Sequence, residues 1–364
     1  MNQVKNIIYG FLASLLTLLL GLIILELIFG NWFDNKWEEV ARYNIPLNKK
    51  ITYDVSKLNY GYKKSLYIRD EYGLRINCPY KDVDIITIGG STTDQRSITQ
   101  TKTFQSQIEN LYKQDYKDSI CIANAGIDGH STTGNLFALN HWLPLIPELN
   151  PKLYLLYVGI NDAGLTGILE DMDDKRRYKF DFIDKIKSKS AVYRLVKIIK
   201  NEVKIRLNQT KYIGHQYKYQ IKSIENYPVT KIDPESFIKA EKNSKLVGNR
   251  IKQMISIINN KDAKAICVTQ PHAMAWSFNN EIRGVENAHA MKSGIDYNLA
   301  LEMINNEFTS ICRETGNYVI EINSNDFELT DFYDYVHLNQ VGTNKLSEKL
   351  YNQMKKMNIF DNVN

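Results

Sequence analysis

The chain has 364 residues, of which 43% are hydrophobic and 24% are charged, and its formal net charge is +5. This composition excludes an intrinsically disordered chain, and the length allows one large domain or two modest ones with a substantial core. The small positive excess gives no reason to expect a nucleic-acid partner.

The chain begins with an apolar run, Ile7 to Phe29, whose only charged residue is Glu26. Such a run, of about 23 residues, can span a hydrocarbon core roughly 30 Å thick. A cleaved signal peptide is the alternative, but the run is long for a signal core and no small-x-small cleavage site follows it. Lys5 before the run and an acidic excess after it place the body outside the cytoplasm. We therefore predict a single-pass anchor at residues 1–30 and an extracytoplasmic domain.

A polar, Tyr-rich stretch at residues 31–80 has no clear period, and we expect an extended juxtamembrane segment there. Short apolar runs then alternate with helical segments. The runs are VDIITIG, SICIANAG, KLYLLYVGI, KAICVTQP and YVIEI, and helices are expected at about Phe104 to Tyr112, Leu136 to Leu149, Asp296 to Thr315 and Val341 to Met357. This alternation predicts a three-layer α/β domain over residues 81–364, with a doubly wound parallel sheet.

A basic helical insertion interrupts this pattern at about residues 165–240. Between Asp171 and Glu225 there are 15 Lys and Arg against 7 Asp and Glu. Within it, Ala191 to Leu207 places apolar residues at helical spacing, with Lys and Arg on the other face. We interpret this segment as a cap helix packed on the domain. The alternative is contact with anionic headgroups or an anionic polymer.

The four cysteines are too few and too widely spaced for a disulfide scaffold or a zinc site. Cys121 and Cys267 lie inside strand-like apolar runs, where a buried free thiol behaves as a small hydrophobic side chain. No disulfide is therefore predicted. The histidines show no metal-ligand spacing, and no G-x-G-x-x-G follows the first strand, so neither a metal nor another cofactor is expected.

Polar side chains follow the predicted strands, where functional residues of open α/β sheets gather. Ser91 comes after the first strand and a Gly-Gly turn, in IGGSTTD. Asn124 and Asn161 belong to the loops NAGIDGHST and VGINDAG, after the second and third strands. After the last strand, DYVHLN places Asp334 three residues before His337, a spacing at which the carboxylate can orient the imidazole.

These four segments resemble the ordered blocks of the SGNH (GDSL-like) hydrolase superfamily, in a divergent, membrane-anchored branch. The resemblance covers roughly Val83 to the C-terminus, apart from the insertion. It implies a flavodoxin-like three-layer fold and a catalytic triad of Ser91, Asp334 and His337. It also implies an oxyanion hole made by the Ser91 and Gly129 backbone N–H groups and the Asn161 amide.

One position departs from the family motif, because Gly90 stands where the family has an Asp before the nucleophile. That Asp is not a triad member, so the chemistry is expected to remain. The predicted function is a serine esterase that removes acyl groups, O-acetyl above all, from an envelope or extracellular glycan. Two alternatives remain open: an O-acyltransferase using the same triad on a glycan acceptor, and a non-catalytic glycan-binding or assembly protein that keeps the fold.

Overall fold

The computed structural model covers the apolar N-terminal helix and the domain that follows it. It describes residues 2–58, 61–164, 181–207, 209–212, 227–228, 231–279, 281–286 and 291–363. The predicted insertion at about 165–240 therefore lies partly outside the described residues.

The strands and helices are named here in chain order. The strands are β1 Lys49–Asp54, β2 Lys64–Arg69, β3 Ile85–Gly89, β4 Ile122–Asn124, β5 Leu153–Tyr157, β6 Thr210–Tyr212, β7 Lys264–Val268, β8 Ala275–Phe278, β9 Glu281–Gly284 and β10 Tyr318–Ile320. The helices are α1 Asn2–Phe29, α2 Lys36–Arg42, α3 Ser91–Asp94, α4 Phe104–Tyr116, α5 Thr132–Phe137, α6 Ile160–Ala163, α7 Phe182–Lys189, α8 Ala191–Arg206, α9 Pro234–Asn259, α10 Gly294–Glu314 and α11 Gln340–Lys356.

A parallel sheet with the strand order β10-β7-β5-β3-β4 forms the centre of the domain. Every residue of β3 and β5 is buried, as expected for strands covered on both faces. One core lies between the sheet and α5, α9 and α10, and a second lies between the sheet and α4 and α11. The doubly wound α/β fold is confirmed, and its strand order reverses between β3 and β5.

Two helical segments differ from the prediction. The region expected as one helix from Leu136 to Leu149 is α5 followed by two short irregular turns, Ala138–Trp142 and Leu143–Leu145. Pro144 explains the break, because proline has no backbone N–H to donate and its ring clashes with the preceding turn of a helix. The long helix α9, which begins inside the predicted insertion, was not anticipated.

Residues 31–80, predicted as an extended juxtamembrane segment, are more regular than expected. They contain α2 and the antiparallel pair β1 and β2, in which Lys49 lies opposite Arg69. Alternate residues of β2 are buried, which is the pattern of a strand with one face against the core. β6, from the insertion, pairs with β1 in parallel, so the insertion and residues 31–80 share one small sheet.

Helix α1 stands apart from these cores. Its segment Val4–Phe29 is long and apolar enough to cross a membrane, and 0% of its most apolar window is buried in the protein. A membrane span and a signal sequence both fit this length and composition.

The expectation of free thiols is wrong in this structure. Disulfides join Cys78 to Cys121 and Cys267 to Cys312, at sequence separations of 43 and 45 residues. Cys121 and Cys267 are buried in or beside strands, as predicted, but each meets a partner from a distant segment. Sequence spacing could not reveal this, because the partners are brought together only by the fold.

Thiol titration tests both disulfides. The protein unfolded in guanidinium without reductant should react with no equivalents of a thiol reagent, and the reduced protein should react at all four cysteines. Replacing Cys267 and Cys312 together by serine should lower the free energy of unfolding by about 2–4 kcal/mol, because the unfolded chain then regains the conformational entropy that the disulfide removes. Four reactive thiols in the unreduced protein would contradict the pairing.

Candidate active site

Four loops meet at the carboxyl edge of the parallel sheet. Ser91 begins α3 directly after β3, and Asn161 lies in α6 directly after β5. The glycine loop with Gly129 follows β4, and the segment with Asp334 and His337 lies between β10 and α11. This edge, at the point where the strand order reverses, is where open α/β sheets bind their ligands.

The structure brings Ser91, His337 and Asp334 into one hydrogen-bonded chain. His337 Nε2 lies 2.7 Å from Ser91 Oγ, and His337 Nδ1 lies 2.8 Å from Asp334 Oδ2. Backbone N–H groups of Val336 and His337 donate to Asp334 Oδ1 at 3.0 and 2.8 Å, which fixes the carboxylate. With its proton on Nδ1, the imidazole can accept the hydroxyl proton through Nε2.

The electrostatics of this pair suit proton transfer. Burial alone would lower the pKa of His337, but the Asp334 carboxylate outweighs burial and raises this pKa above its ordinary value of 6.5. Burial alone would raise the pKa of Asp334, but His337 and the backbone donors lower it. The carboxylate therefore stays ionised and favours the protonated imidazole.

Tyr333 covers one face of the imidazole, a contact that no sequence pattern predicts. Its ring stacks on the His337 ring with centroids 5.3 Å apart and an interplanar angle of 8°. The backbone closes a small turn here, since Tyr333 N donates to His337 O at 3.0 Å. The stacking restricts rotation of the imidazole toward that side.

Gly126 and Gly129 are distinguished by their hydrogen bonds. The N–H of Gly126 donates to Asn124 Oδ1 at 2.9 Å, and its carbonyl accepts from Arg69. Gly129 has φ = 79°, a left-handed conformation that favours glycine, and within the described residues its N–H has no acceptor. Ser91 is the first residue of α3, where N–H groups lack an acceptor inside the helix. The N–H groups of Ser91 and Gly129 are thus available to a ligand.

The Asn161 side chain is held at this edge by the glycine loop. Its Nδ2 donates to His130 O at 2.8 Å, which leaves its second N–H for another acceptor. The neighbouring Asp162 carboxylate accepts from Thr132 N and Thr132 Oγ1, the latter at 2.5 Å. These bonds tie the loop after β5 to the loop after β4.

The space around position 90 accommodates a glycine but no larger side chain. A Cβ at this position would lie 2.4 Å from Asn161 Nδ2 and 2.9 Å from His130 O. A larger residue would therefore displace the Asn161 amide or the carbonyl that holds it. The glycine that stands here in place of the family's Asp therefore permits this close approach.

Two buried arginines from residues 31–80 hold the segments that carry the site residues. Neither was predicted from the sequence as a site residue. Arg69 pairs with Asp94 at 2.5 Å, with both side chains at most 2% exposed, and also donates to Gly126 O. Arg75 donates to the carbonyls of Asp94, Gln95 and Ile98, the last at 2.9 Å. The turn that carries Ser91 is thus joined to the glycine loop.

In the part of the chain that the structure describes, no three His, Cys, Asp or Glu side chains group as metal ligands. The residues at the carboxyl edge are instead a hydroxyl, an imidazole, a carboxylate and N–H donors. This set can carry out acyl transfer through a serine nucleophile.

The chain belongs to the GDSL-like lipase/acylhydrolase family, whose model matches residues 85–350. It is accordingly an ester hydrolase of the SGNH type. No curated relative matches the chain.

Solved structures similar to this chain include a lipase/acylhydrolase, a lipolytic G-D-S-L family protein and an esterase. A lipase/acylhydrolase from Enterococcus faecalis is 12% identical, with 76% of this chain and 97% of that chain covered and a TM-score of 0.42. A lipolytic G-D-S-L family member from Veillonella parvula is 13% identical, with 74% and 97% covered and a TM-score of 0.42. A catalytic mutant of an acetylxylan esterase from Geobacillus stearothermophilus is 11% identical, with 75% and 94% covered and a TM-score of 0.41. These likenesses are too distant to bear on the substrate.

Replacing Arg69 by methionine tests its supporting role. The substitution should lower the free energy of unfolding by about 3–5 kcal/mol, because it leaves the buried Asp94 carboxylate without its partner. Arg313→Met is the matched control: the Arg313 pair with Glu321 is exposed, so its loss should cost less than about 1 kcal/mol. Urea unfolding followed by tryptophan fluorescence measures both, and equal losses would contradict the role of Arg69.

Proposed function

We propose that Ser91, His337 and Asp334 are the catalytic triad of this ester hydrolase. The observation that carries the proposal is the continuous hydrogen-bonded chain from the hydroxyl through the imidazole to the carboxylate, with contacts of 2.7 and 2.8 Å. Each contact lies within the range needed for proton transfer between a nucleophile and its base.

In this mechanism Ser91 Oγ attacks the acyl carbon while His337 Nε2 takes its proton. The imidazolium then gives that proton to the departing alcohol oxygen, and the acyl group remains on Ser91 as an ester. Water then reacts in the same way: His337 takes a proton from it as its oxygen attacks the acyl carbon, the bond to Ser91 Oγ breaks as the imidazolium returns the proton to that oxygen, and the carboxylic acid is released. Asp334 holds the ring in one tautomer and stabilises the imidazolium.

We assign the oxyanion hole to the N–H groups of Ser91 and Gly129 and to the Asn161 amide. The first two lack acceptors within the described residues, and Asn161 Nδ2 lies against Gly90, one residue before the nucleophile. Donors fixed in this way stabilise the developing alkoxide at no cost in reorganisation.

The proposed substrate is a small acyl ester, O-acetyl above all, on an envelope or extracellular glycan. The void beside Ser91 and His337 is bordered by Tyr157, Tyr333 and Leu346 and has a volume of about 10 Å³. On that side of the nucleophile the described residues therefore leave no channel for a long acyl chain, which supports a small acyl group. The glycan assignment rests on the apolar N-terminal helix, interpreted as an uncleaved anchor that holds the domain outside the cytoplasm, at the envelope.

Ser91→Ala should abolish hydrolysis of p-nitrophenyl acetate and labelling by a fluorophosphonate probe, because it removes the hydroxyl that lies 2.7 Å from His337 Nε2. Ser310→Ala is the control, since Ser310 is exposed on α10 and bonded to Glu314 at 2.7 Å. Labelling is read by intact-protein mass spectrometry.

Equal labelling of the wild-type protein and the Ser91→Ala variant would overturn the triad. A wild-type preference for the decanoyl over the acetyl ester would instead overturn the small-acyl assignment and leave the triad intact.

The pH dependence of kcat/KM tests the role of Asp334. Only neutral His337 can accept the proton from Ser91, so activity should rise with pH through a midpoint above 6.5. In Asp334→Asn the charge that raises the pKa of His337 is gone while burial still lowers it, so the midpoint should move to lower pH. The maximal rate should also fall by about 10⁴, because the ring loses its fixed tautomer. An unchanged midpoint would contradict this role.

A further inference from the structure

Helix α8 exposes the apolar side that a surface helix normally buries. Leu195, Val196, Ile199 and Val203 are 47%, 54%, 54% and 47% exposed. In a globular domain, the apolar stripe of an amphipathic helix faces the core. Helix α8 packs on the domain, as the interpretation of a cap helix expects. It does so through its polar side, however, and its apolar side faces outward.

The polar side of α8 is held by backbone carbonyls and one carboxylate–ammonium pair. Lys197 Nζ donates to Leu47 O at 2.9 Å, and Asn201 Nδ2 donates to Asn48 O at 3.0 Å. Glu202 pairs with Lys50 at 2.9 Å. These contacts fix the rotation of the helix about its axis, so the apolar side cannot turn inward without breaking them.

The start of α8 is bonded to the end of α1. Glu26, the only charge in the apolar run, accepts from Ser190 Oγ at 2.5 Å and from the N–H groups of Ala191 and Val192 at 2.9 Å. Trp32 Nε1 donates to the same carboxylate at 2.8 Å. The carboxylate satisfies first-turn donors of α8 and complements its dipole. Helix α8 thus begins at the end of the proposed membrane span.

We propose that α8 lies in the headgroup region of the bilayer that α1 spans, with its apolar side facing the acyl chains. Exposed apolar residues continue on neighbouring segments: Phe33 is 89% exposed, and Phe182 of α7 is 75% exposed. The exposed cations Lys200 and Arg206 can reach lipid phosphates. A bilayer fits these features together, whereas an anionic polymer offers nothing apolar to cover Leu195 or Ile199.

This inference rests on the proposal that α1 is an uncleaved membrane span, but it concerns a separate surface. Extraction of the membrane fraction with alkaline carbonate tests the span alone. Hydrolysis of a soluble acetyl ester tests the triad alone. Failure of the α8 proposal is therefore distinguishable from failure of either one.

Spin labelling of the full-length protein tests the position of α8. The four native cysteines are paired, so Ile199→Cys or Leu195→Cys supplies a single site for a nitroxide. The labelled protein is placed in nanodiscs of phosphatidylcholine and phosphatidylglycerol that hold one protein each. Val341→Cys is the matched control, because Val341 is an apolar residue with 50% exposure on α11.

Accessibility of the label to oxygen and to a water-soluble nickel complex is measured by power saturation. At 195 and 199 we expect severalfold less accessibility to nickel and more to oxygen than at 341. Equal values at all three positions overturn the proposal. So does protection that appears only in concentrated micelles, which would indicate a second copy, or only after an anionic polysaccharide is added. Two labelled positions guard against loss of folding in one variant.

Discussion

The buried ion pair between Arg69 and Asp94 is the interaction on which the geometry of the site depends. A guanidinium without access to water is tolerated only when its donors are satisfied, and Arg69 achieves this by joining Asp94 to the carbonyl of Gly126. Asp94 ends the turn that begins with Ser91, and Gly126 opens the loop that carries Gly129. One side chain from outside the parallel sheet therefore sets the spacing between the proposed nucleophile and a proposed oxyanion donor.

Much of the carboxyl edge could be predicted from the sequence, because each candidate residue follows a strand and parallel strands end at one edge. This rule placed Ser91, Asn124 and Asn161 at the edge, and the resemblance to the family selected Ser91 and Asn161 among them. Asp334 and His337 are three residues apart, so their contact could be predicted from local spacing. Arg69 could not be found in the same way, since its partners lie 25 and 57 residues away and no period links them. The disulfide partners of Cys121 and Cys267 were hidden for the same reason.

Helix α8 shows a different limit of sequence reasoning. Its apolar spacing correctly indicated an amphipathic helix, but spacing does not say which side faces the protein. That choice is made by Lys197 and Asn201, whose acceptors are carbonyls of the distant segment before β1. Those carbonyls are available because the segment turns there, and a turn leaves backbone groups without sheet partners. The side facing outward is then determined by hydrogen bonds rather than by hydrophobicity.

The Glu26 carboxylate makes the N-terminal helix specific to this domain. A different hydrophobic segment of equal length would still insert into a bilayer, but it would offer no acceptor to the amides of Ala191 and Val192. In the proposed anchored form, a helix exchanged for α1 would therefore also have to supply an acceptor at position 26. Cleavage of the chain before residue 31 would likewise remove an acceptor that the folded domain uses, so a cleaved form would differ in structure from the proposed anchored form.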